Sequence, residues 1–232
     1  MKQENIIKKL TPNDAYNLLI QDIIEETNDL NKDENRWIKH SLYVGIGARR
    51  IAKKLNLDEN LAEVLGYIHD IGRKIDHFNH PIEGYHYMLN LGYKYYANIC
   101  LTHSFIDNDI TLTAGGGPKR KERYEYINSF LQKNPPTIYD NIIQLCDLFC
   151  LETGFTTIEN RLLDITLRKG VFDNSFLHYQ KTIELKEKIE SLMNCNLYDL
   201  FKEIKEEDLN NINNVHDKLL ELIGKKKIMI KK

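Results

Sequence analysis

Cysteine is scarce in this chain, and its four copies, Cys100, Cys146, Cys150 and Cys195, show no CxxC spacing. A disulfide scaffold and a zinc knuckle are therefore both disfavoured, and reduced core thiols are expected because most of the four lie in apolar runs. No run approaches the 18 or so consecutive apolar residues of a membrane-spanning helix, so no membrane partner is expected. An excess of one charge sign is also missing. The formal net charge is −2 and the isoelectric point near 6.5, which leaves no basic footprint for duplex nucleic acid. Met1 to Leu10 is polar and lysine-rich without a signal-like apolar stretch, and a cytoplasmic location is expected.

What is present reads as helix almost throughout. At 232 residues with 42% hydrophobic side chains, the chain can bury a sizeable core in one generous domain or in a domain with an appendage. Thr11-Pro12 opens the first helix, with Thr as cap and Pro at N1, and Ala15, Leu18, Leu19 and Ile23 carry its apolar stripe towards Thr27. Further helices are expected over 34–55, 59–71, 82–90, 94–101, 120–132, 137–152 and 156–169. Beyond Gly170, charged amphipathic helices are expected over 175–193 and 208–223, ahead of a solvated lysine-rich end at 225–232. Asn134-Pro135-Pro136 breaks the chain before the segment that carries Asp147. No alternating strand pattern intervenes, so the expected fold is all-α.

The chemistry concentrates in histidine and aspartate. His69 and Asp70 are adjacent in Gly66-Tyr67-Ile68-His69-Asp70-Ile71-Gly72-Arg73, with His40 upstream, His80 and His103 following, and Asp147 in the apolar run from Ile142 to Phe149. His40 shares a helical face with Val44, Gly47 and Ile51, where either a hydrogen-bonded core histidine or a ligand fits. A carboxylate such as Asp147 in an apolar helix is expensive to bury unless it is paired or metal-bound. Asp58 is a good N-cap for the helix whose stripe of Leu61, Ala62, Leu65 and Ile68 leads to His69, and Gly72 ends or loosens that helix. Imidazoles and carboxylates together suit iron, manganese, zinc, cobalt or nickel, whereas magnesium and calcium prefer all-oxygen shells. Four histidines and two aspartates suffice for two ions about 3.5 to 4 Å apart sharing a carboxylate and a water that deprotonates near neutral pH. A metal-dependent hydrolase is the leading reading.

That ordered set resembles the HD-domain metal-dependent phosphohydrolase superfamily of the HDIG type, over roughly residues 34 to 170. His69-Asp70-Ile71-Gly72 is similar to its signature, and His40 with Val44, Gly45, Ala48 and Ile51-Ala52 resembles its first-histidine helix. His80-Pro81-Ile82-Glu83-Gly84 resembles its HP, two residues, G element; Thr102-His103-Ser104 resembles the later histidine, and Asp147 before Arg161 the closing aspartate. The resemblance implies an HD-domain helical bundle with additional C-terminal helices. It implies one metal held by His40, His69, Asp70 and Asp147, and a second held by His80 and His103 with Asp70 bridging. His77 and His86 flank His80 and stand as alternative registers. No GYP element follows, which disfavours the cyclic di-GMP phosphodiesterases, and the diadenosine tetraphosphate hydrolases that share the two-metal pattern end sooner. The expected division is 1–33 as an N-terminal helix packed on the core, 34–170 as the HD domain and 171–232 as a helical extension.

Around these ligands, Arg73 is either a phosphate-binding guanidinium or a surface arginine. Gly115-Gly116-Gly117-Pro118 with Lys119, Arg120, Lys121 and Arg123 lacks the GK[ST] ending of a P-loop. It is either a basic lid, with Lys119 and Arg120 on an anionic substrate, or a solvated connection. Arg161 and Asp164 form either a local ion pair or a brace on the site. The expected activity is cleavage of a phosphate ester or anhydride of a nucleotide or dinucleoside polyphosphate, with Asp70 and Arg73 catalytic and one or two divalent ions as cofactor. The rivals are a non-nucleotide ester as substrate, a metal-keeping sensor without turnover, and a di-iron oxygenase.

Overall fold

Side-chain caps set the starts of four helices, at Thr11, Asp58, Thr137 and Thr157. The computed structural model describes residues 8–26, 35–114, 118 and 120–230. Helix α1, Pro12–Glu26, begins where the Asp14 carboxylate accepts from Thr11 N at 3.0 Å and from Thr11 Oγ1 at 2.6 Å. Helix α2 is Arg36–Lys54. Helix α3, Glu59–Ile68, is capped by Asp58, which accepts from Asn60 N and Leu61 N at 3.0 Å each. There follow α4 His80–Asn90, α5 Lys94–Thr102, α6 Lys121–Lys133 and α7 Ile138–Asp147. Thr137 and Asp140 form a reciprocal capping box at the head of α7, directly after the Pro135-Pro136 break. Strands β1 Cys150–Leu151 and β2 Gly154–Phe155 precede α8 Ile158–Lys169, α9 Ser175–Met193, α10 Glu206–Asn210 and α11 Ile212–Ile230.

Three expectations are corrected. The helix expected over 59–71 stops at Ile68, and a 3₁₀ turn, Ile71–Lys74, takes over. The helix expected over 137–152 stops at Asp147, and a small antiparallel hairpin pairs Cys150 with Phe155 and Leu151 with Gly154. A turn with Gly154 at φ 137° and packing of Phe149, Phe155 and Phe201 at ring separations of 4.7 to 5.9 Å outweigh helix propensity there. The helix expected over 208–223 is divided at Asn211 into α10 and α11.

One apolar cluster joins Ala15 and Leu19 of α1, Val44 and Ile51 of α2, Ile68 of α3, Ile142 and Leu145 of α7, Tyr179 and Ile189 of α9, and Leu219 of α11. The first helix and the C-terminal helices are thus built onto the same core as the histidine-bearing segments. All four cysteines are free. Among the described residues no helix is long and apolar enough to cross a membrane.

Two glycine contacts set the geometry of the centre. A Cβ on Gly66 would lie 2.4 Å from Gly45 Cα, so α2 and α3 cross backbone to backbone. His40 lies just over one turn before Gly45, and His69 lies three residues after Gly66, so the crossing brings both to one end. A Cβ on Gly72 would lie 2.1 Å from His80 O and 2.3 Å from Gly84 N. The 3₁₀ turn therefore lies directly on the start of α4, which draws Asp70 and His80 together.

Candidate metal centre

The side chains of His40, His69, Asp70, His80, His103 and Asp147 meet in one place. Ligand atoms of His40, His69 and Asp147 lie within 4.8 Å of one another, as do those of His69, Asp70 and His103. His80 Nε2 lies 3.0 Å from Asp70 Oδ1. His69 is fully buried, and His40, Asp70 and His103 are each at most 7% exposed. These six residues come from α2, the end of α3, the start of α4, the end of α5 and the end of α7.

Each imidazole is oriented by a backbone carbonyl. His40 Nδ1 donates to Cys150 O at 3.1 Å, His69 Nδ1 to Gly66 O at 2.7 Å, His80 Nδ1 to His77 O at 3.1 Å and His103 Nδ1 to Ile99 O at 3.1 Å. A carbonyl can only accept, so the proton sits on Nδ1 in all four, and the lone pair of Nε2 is left to face the centre. His69 Nε2 and Asp70 Oδ1 are buried with no hydrogen-bond partner. Asp147 Oδ1 lies 2.9 Å from His40 Nε2, and His103 Nε2 lies 3.4 Å from Asp70 Oδ1. Lone pairs opposed at these distances repel unless a cation sits between them, and the mixed N and O donors fit a divalent transition metal.

Electrostatics keep the donors in ligand form. Burial lowers the His69 pKa to about 3, with Asp70 opposing, and lowers that of His80 to about 4, again against Asp70. Burial works against the Asp70 anion, but the Arg73 guanidinium beside it outweighs this and holds its carboxyl well below the usual range. Neutral imidazoles and ionised carboxylates are the forms that bind metal.

Supporting contacts surround the six, and the sequence does not single out Gln144 for this. Gln144 Nε2 donates to Thr102 O and Phe105 O at 3.0 and 2.9 Å, which pins the chain on either side of His103. Ser104 Oγ lies 2.8 Å from His103 Nε2. Cys150 acts through its carbonyl on β1, a role created by the unexpected hairpin. Arg161 does both things left open for it: its Nε donates to Asp147 O at 3.4 Å, and its NH1 reaches Asp164 Oδ2 at 3.3 Å.

Arg73 Nε donates to Asp70 Oδ2 at 2.5 Å, so it is no free surface arginine. His77 contacts Arg73 NH1 at 3.0 Å rather than the centre, and His86 stacks near Tyr85 and Tyr126; neither takes the place of His80. Arg120 is exposed just ahead of α6 and is not brought into the cluster. Lys119 lies outside the described residues.

These features define a buried centre of histidines and aspartates at the heart of a helical bundle. Residues 37–150 match the family model described as HD domain, and this stretch is an HD domain. Among curated proteins, ribonuclease Y of Lactobacillus helveticus (strain DPC 4571) is 38% identical over 77 residues, covering 33% of this chain and 12% of that protein. Deoxyguanosinetriphosphate triphosphohydrolase-like proteins of Rickettsia rickettsii (strain Iowa) and Rickettsia peacockii (strain Rustic) are each 25% identical over 190 residues, covering 72% of this chain. The chain spans 49% of the length of these Rickettsia proteins. No solved structure matches at comparable significance.

Proposed function

We propose that the protein is a metal-dependent phosphohydrolase that cleaves a phosphate ester or anhydride, with a nucleotide as substrate. The observation that carries this reading is the set of four histidines whose Nδ1 protons are committed to carbonyls, with the Nε2 of His80 and His103 at 3.0 and 3.4 Å from Asp70 Oδ1, that of His40 at 2.9 Å from Asp147 Oδ1, and that of His69 buried without a hydrogen-bond partner. Relatives named as a triphosphohydrolase-like protein and a ribonuclease support phosphate chemistry and a nucleotide. His40, His69, Asp70 and Asp147 would hold one divalent ion and His80 and His103 a second with Asp70 shared, and ions there supply Lewis acidity and an acidified water.

The chain's own groups do the rest. Asp70 stays ionised, so it orients and neutralises rather than carrying a proton. Arg73 is anchored through Nε on Asp70 and through NH1 on His77, which leaves NH2 to bind a non-bridging phosphate oxygen as negative charge develops on it. Arg161 keeps Asp147 in place through its carbonyl.

The test is product analysis with manganese- or iron-loaded protein on nucleoside mono-, di- and triphosphates, diadenosine tetraphosphate and an aryl phosphate, beside Asp70→Ala. Turnover by the wild type, lost with the bound metal in Asp70→Ala, is expected. Turnover that survives in Asp70→Ala, or metal retained without turnover of any compound by the wild type, would overturn the reading.

A further inference from the structure

The four imidazoles of the centre are oriented alike but are not equally free. Each commits its Nδ1 proton to a carbonyl, so each Nε2 offers only a lone pair. His69 Nε2 is buried without a hydrogen-bond partner. His40 Nε2 faces Asp147 Oδ1 at 2.9 Å, and His80 Nε2 faces Asp70 Oδ1 at 3.0 Å; ionised carboxylate oxygens have no proton to give. His103 Nε2 differs. It lies 3.4 Å from Asp70 Oδ1, but it also meets an O–H group, Ser104 Oγ, at 2.8 Å.

The direction of that hydrogen bond is fixed. Because the Nδ1 proton of His103 goes to Ile99 O, the Ser104 hydroxyl donates and the ring nitrogen accepts. An imidazole nitrogen has one lone pair, and a hydroxyl proton and a metal ion cannot both use it. His103 is 3% exposed, so in the metal-free protein the serine supplies the partner that a buried nitrogen needs. Among the described residues Ser104 Oγ has no other hydrogen-bond partner. Ser104 is half-buried, which lets a displaced hydroxyl turn to water. His40 and His69 carry no protein donor on Nε2. The two halves of the centre are therefore unequal before any ion arrives.

We infer that Ser104 competes with the second metal ion for His103 Nε2: its hydroxyl closes that nitrogen until an ion held by His80, His103 and Asp70 displaces it, so the two metal sites fill unequally and in order. The inference rests on the two-ion assignment proposed above for the same site. The test is calorimetric titration of manganese, at about pH 8 where imidazoles are neutral, into the metal-free full chain and its variants. Wild type should bind in two steps. Removing the competing hydrogen bond in Ser104→Ala should tighten the weaker step by about two- to tenfold and leave the tighter one as it is. Ser104→Thr keeps a hydroxyl and should match wild type. His80→Ala should abolish the weaker step, which identifies it, and adding Ser104→Ala to that variant should then change nothing. Two steps unmoved by Ser104→Ala, or a second step that weakens because the serine is itself a ligand, would overturn the inference and leave the metal assignment standing. A single step or none in every protein sinks both the inference and the second site, while phosphate turnover with one ion keeps the phosphohydrolase reading. The tightening in Ser104→Ala without turnover of any phosphate compound supports the role of the serine and sinks the phosphohydrolase reading instead.

Discussion

Acid destabilises the metal-free protein through buried histidines, and His178 allows one of them to be measured apart from the metal centre. His178 lies on α9 and is 4% exposed; burial lowers its pKa to about 4, with Asp147 opposing. In the unfolded chain the same imidazole titrates near about 6.5. Because the folded pKa is the lower one, the unfolded state holds a proton that the native state refuses between these values. Stability is therefore complete above the unfolded pKa and falls as pH drops through the window. Each such histidine contributes about 1.4 kcal/mol per pH unit inside the window, and His178 about 3 kcal/mol across all of it. His69 and His80 are lowered to about 3 and about 4, so with His178 they give a combined slope of about 4 kcal/mol per pH unit. The depressed carboxyl of Asp70 titrates below this range and does not contribute to it. Urea unfolding of metal-free wild type and His178→Gln from pH 4.5 to 6 checks the argument. The glutamine alters packing and shifts every stability value, but it changes the slope only by removing a titration. The variant should be shallower by about 1.4 kcal/mol per pH unit. Identical slopes would show that native His178 titrates normally and that its burial does not exclude the charged form.

Two further outcomes follow from the geometry. Metal content after gel filtration should fall in His80→Ala and hold in His77→Ala, because His77 supports His80 through its backbone carbonyl; equal losses would overturn the choice of histidine. Gly66→Ala should destabilise the fold by at least the roughly 1 to 3 kcal/mol of a core overpacking, since the added methyl would meet Gly45 backbone at 2.4 Å. It should also weaken metal retention by parting His40 from His69, and wild-type urea midpoint and metal content in this variant would refute the role given to the crossing.

The six residues expected to form the centre were legible because metal ligation demands particular donors, and their order along the chain narrowed the choices. Helix starts were legible for a local reason: Asp58 and Thr137 cap the turns that directly follow them. Helix ends were not. α3 stops at Ile68 because Gly72 must lie against His80 and Gly84, and α7 stops at Asp147 because three phenylalanines from separate segments pack together. Neither cause is local in sequence.

Sequence by itself determined the all-α class, which histidines and aspartates to look for together, and the scarcity of disulfide or membrane signals, because composition, periodicity and capping act over a few residues. The tertiary structure alone decided which nitrogen of each histidine faces the centre, which neighbouring histidine stays out of it, and which cations stand near it. Those depend on carbonyls and glycine contacts between segments up to 110 residues apart, as with His40 and Cys150, and a one-dimensional pattern carries no record of such distances.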